Sequence, residues 1–450
     1  MTFPAGALLT DLYQLTMLQA YFDEGLEETA VFEFFVRKLP RNRNFLMSAG
    51  LAQVLEHLEA LRFTQDDLDW LASTRRFKPA FLDYLGMLRF RGDIHAMPEG
   101  TIFFPDEPIL RVTAPIAQAQ LVETRIINLL QFEVMIAAKA ARCVLAAPGK
   151  LLLDFGLRRA HGAEAGLLAA RASYLAGFSG TATVQAARDF EVPIFGTMAH
   201  SYIQAHVTEE SAFERYARSQ PENVTLLIDT YDTEAAAGKV AALAPRLAAD
   251  NIHIRAVRLD SGDSADLAKR VRRILDAAGL GHIRIVCSGN LDEGEIQRLL
   301  ATGAPIDGFG VGTRLDTSAD APYLDCAYKL VEYAGRARRK RSEGKATWPG
   351  RKQVFRRYGT DGRMAGDVVT TEDDVQPGEP LVVPIMRDGL RLETPLNLAA
   401  ARERAARALA TLPDALRALA PTCLAYSAEI SPRLVQLARE TDRGVSAPLP

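Results

Sequence analysis

A chain of 450 residues with 48% hydrophobic and 24% charged side chains has an ordinary globular composition, long enough for two or three domains, and this excludes a disordered or fibrous protein. Its 53 basic and 56 acidic residues leave a formal charge of −3, so no global field draws it to nucleic acid or an anionic membrane, and any polyanion site must be local. Cys143, Cys287, Cys326 and Cys423 stand far apart with no C-x-x-C pair, which argues against a disulfide framework or zinc knuckle and for reduced thiols. The opening MTFPAGALLTDLYQ lacks a basic leader, and no apolar run approaches the ~18 residues of a membrane span. A soluble cytoplasmic protein is expected.

In chain order, Asp11–Phe22 carries apolar residues at helical spacing behind Thr10, a plausible N-cap. Val31–Val36 (VFEFFV) reads as a strand running into a basic turn at Arg37, Lys38, Arg41 and Arg43, suited either to solvent or to a phosphate. Ser48–Arg62 is an amphipathic helix, and Thr64 starts another over TQDDLDWL with a capping pattern. From Arg89 to Thr113 short strands are broken by Pro98, Pro105 and Pro108. Residues 1–115 therefore form a mixed α/β module.

After Pro115 the rhythm changes. Ala117–Ala146 reads as one long helix, and from Lys150 onward strands and helices alternate. Strands are predicted at Leu151–Phe155, Val192–Phe195, Thr225–Asp229, Ile254–Leu259, Ile283–Cys287 and Ile306–Phe309, with helices over Thr233–Ala249, Ser264–Ala278 and Leu291–Thr302. Such alternation implies a parallel sheet, and over residues 116–335 a closed or nearly closed β/α barrel is the economical form.

The chemistry is concentrated in the residues at the C-terminal end of each predicted strand. These ends read FGLRR (155–159), GTMAH (196–200), DTYD (229–232), RLDSGD (258–263), SGN (288–290) and GVGT (310–313). In a β/α barrel they share one face, where such folds keep their active sites. Turn geometry explains a Gly or an Asp at some of them, but not two arginines, a histidine and several acids on one rim. Gly196 leads to His200 at a helix start. Ser288 and Gly289, with Gly310, Gly312 and Thr313, offer small side chains and free N–H groups to a phosphate. Asp229, Asp232, Asp260 and Asp263 are suited to Mg²⁺ or to ribose hydroxyls, with helix capping the competing use of Asp260 and Asp263. Arg158 and Arg258 form a potential carboxylate clamp, and Phe155 can lie under a flat ring. From Arg336 to Arg357 ten basic residues face one acid, Glu343, a run (336–364) read as a grip on a di- or triphosphate. Beyond Val368 come a few strands, a helix over Leu398–Ala410 and another near Pro432–Glu440, a part (365–450) expected to pack back on the first module.

In this order the segments TDLYQLTM, FFVRKLP, FGLRRAHG, GTMAHSY, DTYDT, VRLDSGD, CSGN, GFGVGT and KLVEY…GK…PGRKQVFR resemble nicotinate phosphoribosyltransferase of the bacterial type, in the type II phosphoribosyltransferase family. The resemblance covers nearly the whole chain. It implies an irregular (β/α) barrel with an N-terminal α/β domain completed by C-terminal residues, and a homodimer with shared sites. It also implies the reaction of nicotinate with phosphoribosyl pyrophosphate, coupled to ATP hydrolysis through a phosphohistidine, with Mg²⁺. Residue by residue, it makes His200 the phosphorylated histidine, Arg158 and Arg258 contacts to nicotinate, and Phe155 one face of the ring stack, with Tyr13 of the partner as the other. Asp229 and Asp260 meet ribose or Mg²⁺, while Ser288, Gly289, Gly310 and Gly312 meet the 5′-phosphate. Arg37, Lys345 and Lys352 take phosphate-facing roles. A nicotinamide-using relative carries an aspartate where this chain has Ala182, so the resemblance implies a preference for the acid; the alternatives are a nicotinamide or quinolinate phosphoribosyltransferase, or an idle binding protein, on the same fold.

Overall fold

The computed structural model describes residues 6–392, 397–422, 426 and 428–445; Cys423 and the first five residues of the N-terminal segment lie outside them. Two compact units result, Met1–Ala138 with Ala321–Pro450, and Lys139–Asp320. The divisions fall at 138/139 and 320/321, not at 115/116 and 335/336. The first lies inside the helix Glu123–Ala146. The second precedes Cys326–Tyr333, which pairs antiparallel with Thr29–Val36 and so belongs to the sheet of the first unit.

That sheet has seven strands, with Thr29–Val36 third in order. Seven of its eight residues are buried, which its run of Val and Phe anticipates, since a strand covered on both faces has no polar alternation. C-terminal residues complete the sheet, because Val383–Arg387 pairs with Asp93–Ala96. A second sheet of four strands includes Lys352–Tyr358 and Met364–Thr371. The first helix is Leu12–Glu24 with Asp11 at its N-cap position; the Thr10 hydroxyl is buried without a hydrogen-bond partner among the described residues, so the expected cap is not formed. Thr64, by contrast, completes a reciprocal capping box with Asp67. The expected single helix after Pro115 is two, Ile116–Leu121 and Glu123–Ala146.

His57, buried on the helix Leu51–Ala60, is pushed down to about 4 by desolvation, with help from the Arg125 guanidinium. Below 6.5 the unfolded chain takes a proton that the folded chain refuses, so stability should fall as pH drops from 6.5 to about 4, and this group's contribution to the loss levels off below that. The full effect is about 3 kcal/mol. Urea unfolding from pH 7 to pH 4 should show a steeper acid loss in wild type than in His57→Gln; parallel curves would refute the assignment.

The second unit is built on six parallel strands in the order Gly180–Thr181, Leu151–Asp154, Gly308–Val311, Arg284–Ser288, Ile254–Leu259 and Val224–Leu227. One further parallel bridge joins Thr181 to Ile194. The sheet curls into a half-barrel whose hydrogen bonding does not close among the described residues. Two expectations differ here. Val192–Phe195 is not a buried strand but an irregular segment with a single bridge, in which Ile194 is exposed. The edge position is taken by Gly180–Thr181, only two residues long and too short to produce a periodic signal.

Candidate active site

The turns after the strands Val224–Leu227 and Ile254–Leu259 meet at His200. This residue is the first of the short helix His200–Gln204 and is partly exposed. Its Nδ1 lies 3.1 Å from the Thr230 hydroxyl. Its Nε2 lies 3.9 Å from Asp229 and 3.9 Å from Asp260. The two carboxylates come from neighbouring strand ends and are tied together: the Asp260 N–H donates to Asp229 Oδ2 at 3.0 Å, and the Ser261 hydroxyl to the same oxygen at 2.6 Å. The other Asp229 oxygen is buried with no hydrogen-bond partner among the described residues. The Ser288 hydroxyl donates to Asp260, bringing the next strand end into the cluster. A Cβ on Gly289 would stand 2.3 Å from the Asp260 carbonyl oxygen, so a glycine is what lets these two turns approach.

The remaining acids of the rim are caps. Asp232 accepts from the Ala235 N–H at 2.8 Å, and Asp263 from the Ala265 N–H at 3.1 Å. Each starts the helix behind it, which leaves Asp229 and Asp260 for chemistry.

Arg258 is largely buried. Desolvation pulls its guanidinium below the ordinary arginine range; Asp260 and Asp229 oppose that shift, and Arg158 reinforces it by like-charge repulsion. Its Nε is buried without a partner. Two arginines near each other, one with an unmet donor, form a site for a carboxylate. Phe155 is joined to the glycine turn by its N–H, which donates to Val311 at 2.8 Å. A Cβ on Gly310 would meet the Phe155 ring at 2.4 Å, so Gly310 makes room for this ring. Gly312 and Thr313 follow at the turn, with Thr313 exposed. Gly196 is exposed with open space around it. Ala182, also exposed, donates its N–H to the Asp154 carbonyl at 2.8 Å.

Four expected site residues belong to the other unit. Tyr13 is half exposed on the first helix, its hydroxyl 3.4 Å from Glu123. Arg37 is held by Asp325 at 3.2 Å. Lys352 is corrected outright: its ammonium is buried 2.6 Å from Glu33 and also donates to the carbonyls of Trp348 and Gly350, so no donor is left for a phosphate. In the basic run Lys352 and Arg356 are buried, whereas Arg336, Lys340, Arg341, Lys345 and Arg357 are exposed. Arg339 and Arg341 pair with Asp442, Arg351 with Glu332, Arg356 with Asp367 and Arg357 with Glu429. Arg336, Arg338, Lys340 and Lys345 form no ion pair with a described residue.

Comparison with known sequences decides the family. Residues 8–131 match the profile of the nicotinate phosphoribosyltransferase N-terminal domain, and residues 151–338 that of the nicotinate phosphoribosyltransferase family. The chain belongs to the nicotinate phosphoribosyltransferase family. It is 50% identical over 436 residues to a nicotinate phosphoribosyltransferase of Mycobacterium tuberculosis, covering 96% of this chain and 94% of that one. It is 39% identical over 357 residues to that of Bacillus subtilis, with 78% and 73% covered. The crystal structure of human nicotinic acid phosphoribosyltransferase superposes with a TM-score of 0.85 at 30% identity, over 96% of this chain and 99% of that one. Within this family fold, the motifs fall at the strand ends of the second unit. They give no sign of Thr230 as the partner of His200, nor of the buried Asp154 and Asp316 beneath the rim.

No described helix is long and apolar enough to cross a membrane. Cys143, Cys287 and Cys326 form no disulfide among the described residues, and burial pushes the Cys287 thiol up to about 12, which disfavours the reactive thiolate.

Proposed function

We propose that this chain transfers the 5-phosphoribosyl group of 5-phosphoribosyl 1-pyrophosphate to the ring nitrogen of nicotinate, giving nicotinate mononucleotide and pyrophosphate on the way to NAD. The observation that carries the reading is the His200 imidazole set 3.9 Å from both Asp229 and Asp260 on a rim that also holds Arg158 and Arg258. The nicotinate carboxylate goes to the two arginines, the pyridine ring to Phe155, and the 5′-phosphate to the turns of Ser288–Gly289 and Gly310–Thr313. Ala182 presents a methyl where an acid would repel the substrate's carboxylate, which favours nicotinate over nicotinamide.

The pyridine nitrogen supplies its own electron pair, so the C1′–N bond forms and the C1′–O bond to pyrophosphate breaks with no protein base. Positive charge grows on the sugar during this exchange. Asp229 and Asp260 face that charge, and fixed dipoles or charges placed where charge develops lower the barrier.

The same two carboxylates suit a hard divalent cation. The unpartnered, buried oxygen of Asp229 is of the right chemistry, and two protein oxygens are what Mg²⁺ takes when substrate phosphates and water fill the rest of its shell. Among the described residues no cluster of three or more ligating side chains forms a complete cage. Bound there, Mg²⁺ would supply charge neutralisation of the pyrophosphate.

With the Nδ1–H given to Thr230, His200 Nε2 has its lone pair free. It attacks the γ-phosphorus of ATP; the bond to the bridging oxygen breaks and ADP leaves with that electron pair, and water later releases phosphate from the histidine. The phosphorylated state orders the site for phosphoribosyl pyrophosphate, a coupling of ~1–3 kcal/mol or about 5- to 150-fold in affinity. We further assign a homodimer in which the partner's Tyr13 stacks on the nicotinate ring, a phosphate-facing role to Lys345, and a cytoplasmic location, in keeping with the free thiols.

The test is a product assay with nicotinate, nicotinamide and quinolinate, with and without ATP. Nicotinate mononucleotide should form, ATP should raise its rate at low phosphoribosyl pyrophosphate, and acid-labile phosphate should appear on wild type but not on His200→Ala. Equal turnover of nicotinamide would defeat the assigned substrate, and ATP stimulation surviving in His200→Ala would defeat the phosphohistidine.

A further inference from the structure

Beneath the rim lie two carboxyl groups that the chemistry above does not use. Asp154 ends the strand Leu151–Asp154, and Asp316 ends the short helix Thr313–Asp316; both are 0% exposed. Asp154 is well supplied with donors, taking the Gly156 N–H at 2.8 Å on one oxygen and the Thr181 hydroxyl at 2.6 Å on the other. Asp316 is not. Both its oxygens are buried without a donor among the described residues, and its carboxyl is pressed against Gly156, where a Cβ would stand 2.1 Å from its Cγ.

Gly156 lies against both carboxyl groups, its N–H on Asp154 and its Cα side on Asp316, so an ionised Asp316 would be an unpaired buried charge close to a second carboxylate, an arrangement proteins avoid by neutralising one of the two. We propose that Asp316 carries a proton at neutral pH and donates it to Asp154, and that this shared proton makes Asp316 a positioning residue holding the Phe155–Arg158 turn against the Gly310–Thr313 turn. Burial raises the Asp316 carboxyl well above the usual range, and the Asp154 charge adds to the rise. Asp154 is raised as well by burial, with Thr181 and Gly156 opposing.

Other charged groups of the packed elements are engaged elsewhere or face solvent. Arg314, on the same short helix, pairs with Asp292 at 2.7 Å. Arg158 and Arg159 are exposed on the turn above. On the helix Ala163–Ala176, Arg171 lies over the Phe190 ring, and Glu164 sits in the first turn. The strand Gly180–Thr181 offers only the Thr181 hydroxyl.

The consequence is mechanical. Asp154 reaches the ring-holding turn through Gly156 N–H, the Ala182 turn through Thr181 and its own carbonyl, and the glycine turn through the shared proton. Losing that proton would set two buried negative charges against each other and spread the turns that hold nicotinate and phosphate.

This inference rests on the assignment of those turns to substrate, so its test has one arm that does not involve turnover. The infrared C=O band of a protonated, buried carboxyl group should be present in wild type at neutral pH and absent in Asp316→Asn. In kinetics, Asp316→Asn keeps a neutral donor to Asp154 and should stay within about twofold of wild type, while Asp316→Ala should lose about 10- to 100-fold in kcat/KM for both substrates through misplacement of the turns. Wild type should lose kcat/KM at alkaline pH, and Asp316→Asn, which has no proton to give up, should not. A missing infrared band, an Asp316→Asn as impaired as Asp316→Ala, or an alkaline limb shared by wild type and Asp316→Asn would each overturn the proposal. Should Asp316→Ala not fold, the band and the Asp316→Asn pH profile decide. Absence of nicotinate mononucleotide from the wild-type reaction would instead count against the functional reading and leave the infrared result standing.

Discussion

Replacing Asp260 by asparagine is expected to lower kcat/KM about 10²- to 10³-fold, the loss typical when one preorganised electrostatic group is removed from a reacting centre. Asparagine keeps the shape of the side chain and an oxygen to accept the Ser288 hydroxyl. The backbone contacts also survive, since the Asp260 N–H still reaches Asp229 and its carbonyl still lies against Gly289. The group lost is one negative charge 3.9 Å from His200. In the proposed reaction that charge would face the ribose as its C1′ turns positive and, with Asp229, would hold the proposed cation. The loss should therefore fall mainly on kcat, with a milder effect for Ser288→Ala, which removes a hydrogen bond but no charge. Steady-state kinetics of the two variants check this. An Asp260→Asn enzyme within about threefold of wild type would reduce Asp260 to a structural link between two turns, far short of a charge acting on the reacting centre.

The reason Asp260 could be singled out from the chain alone is that barrel topology turns sequence position into spatial position. Once strands and helices alternate, the residues after each strand are neighbours whatever their separation, and DTYD, RLDSGD and SGN fall together. The same logic fails where an element is too short or too irregular to show a period. Val192–Phe195 is apolar enough to be a strand, yet Pro193 and the glycine at 196 leave it with one bridge, and the true edge strand is two residues long. Composition misleads in a second way in the basic run from Arg336. A row of like charges reads as a grip on phosphates when its partners lie outside the row; Arg356 is buried against Asp367, and Lys352 against Glu33. Asp154 and Asp316 stayed hidden for a related reason. A single acid at the end of an apolar strand looks like a turn residue, and only the fold sets it beside another carboxyl group.

The second large effect is on stability. Lys352→Met should destabilise the unit containing residues 29–36 and 352–358 by about 3–5 kcal/mol, the cost of leaving a buried charge without its partner. Glu33 is fully buried on the central strand; one of its oxygens takes the Lys352 backbone N–H and the other meets the ammonium at 2.6 Å. Burial pulls the Lys352 ammonium below the ordinary lysine range, and Arg111 adds to that, while Glu33 opposes both. The pair is thus held by mutual need. Methionine fills the space of the lysine stem and removes the charge together with its hydrogen bonds to the Trp348 and Gly350 carbonyls. Neutralising Glu33 in the same chain, as Lys352→Met with Glu33→Gln, should recover most of the loss, because the glutamine oxygen still accepts the backbone N–H and no buried carboxylate remains. Chemical denaturation of the three proteins measures the effect, and kinetics of the folded fraction separates it from catalysis. A Lys352→Met protein as stable as wild type but with a raised KM for phosphoribosyl pyrophosphate would return Lys352 to a phosphate-facing role. The burial of its ammonium among Glu33, Trp348 and Gly350 argues for the opposite outcome, a weaker fold with unchanged KM.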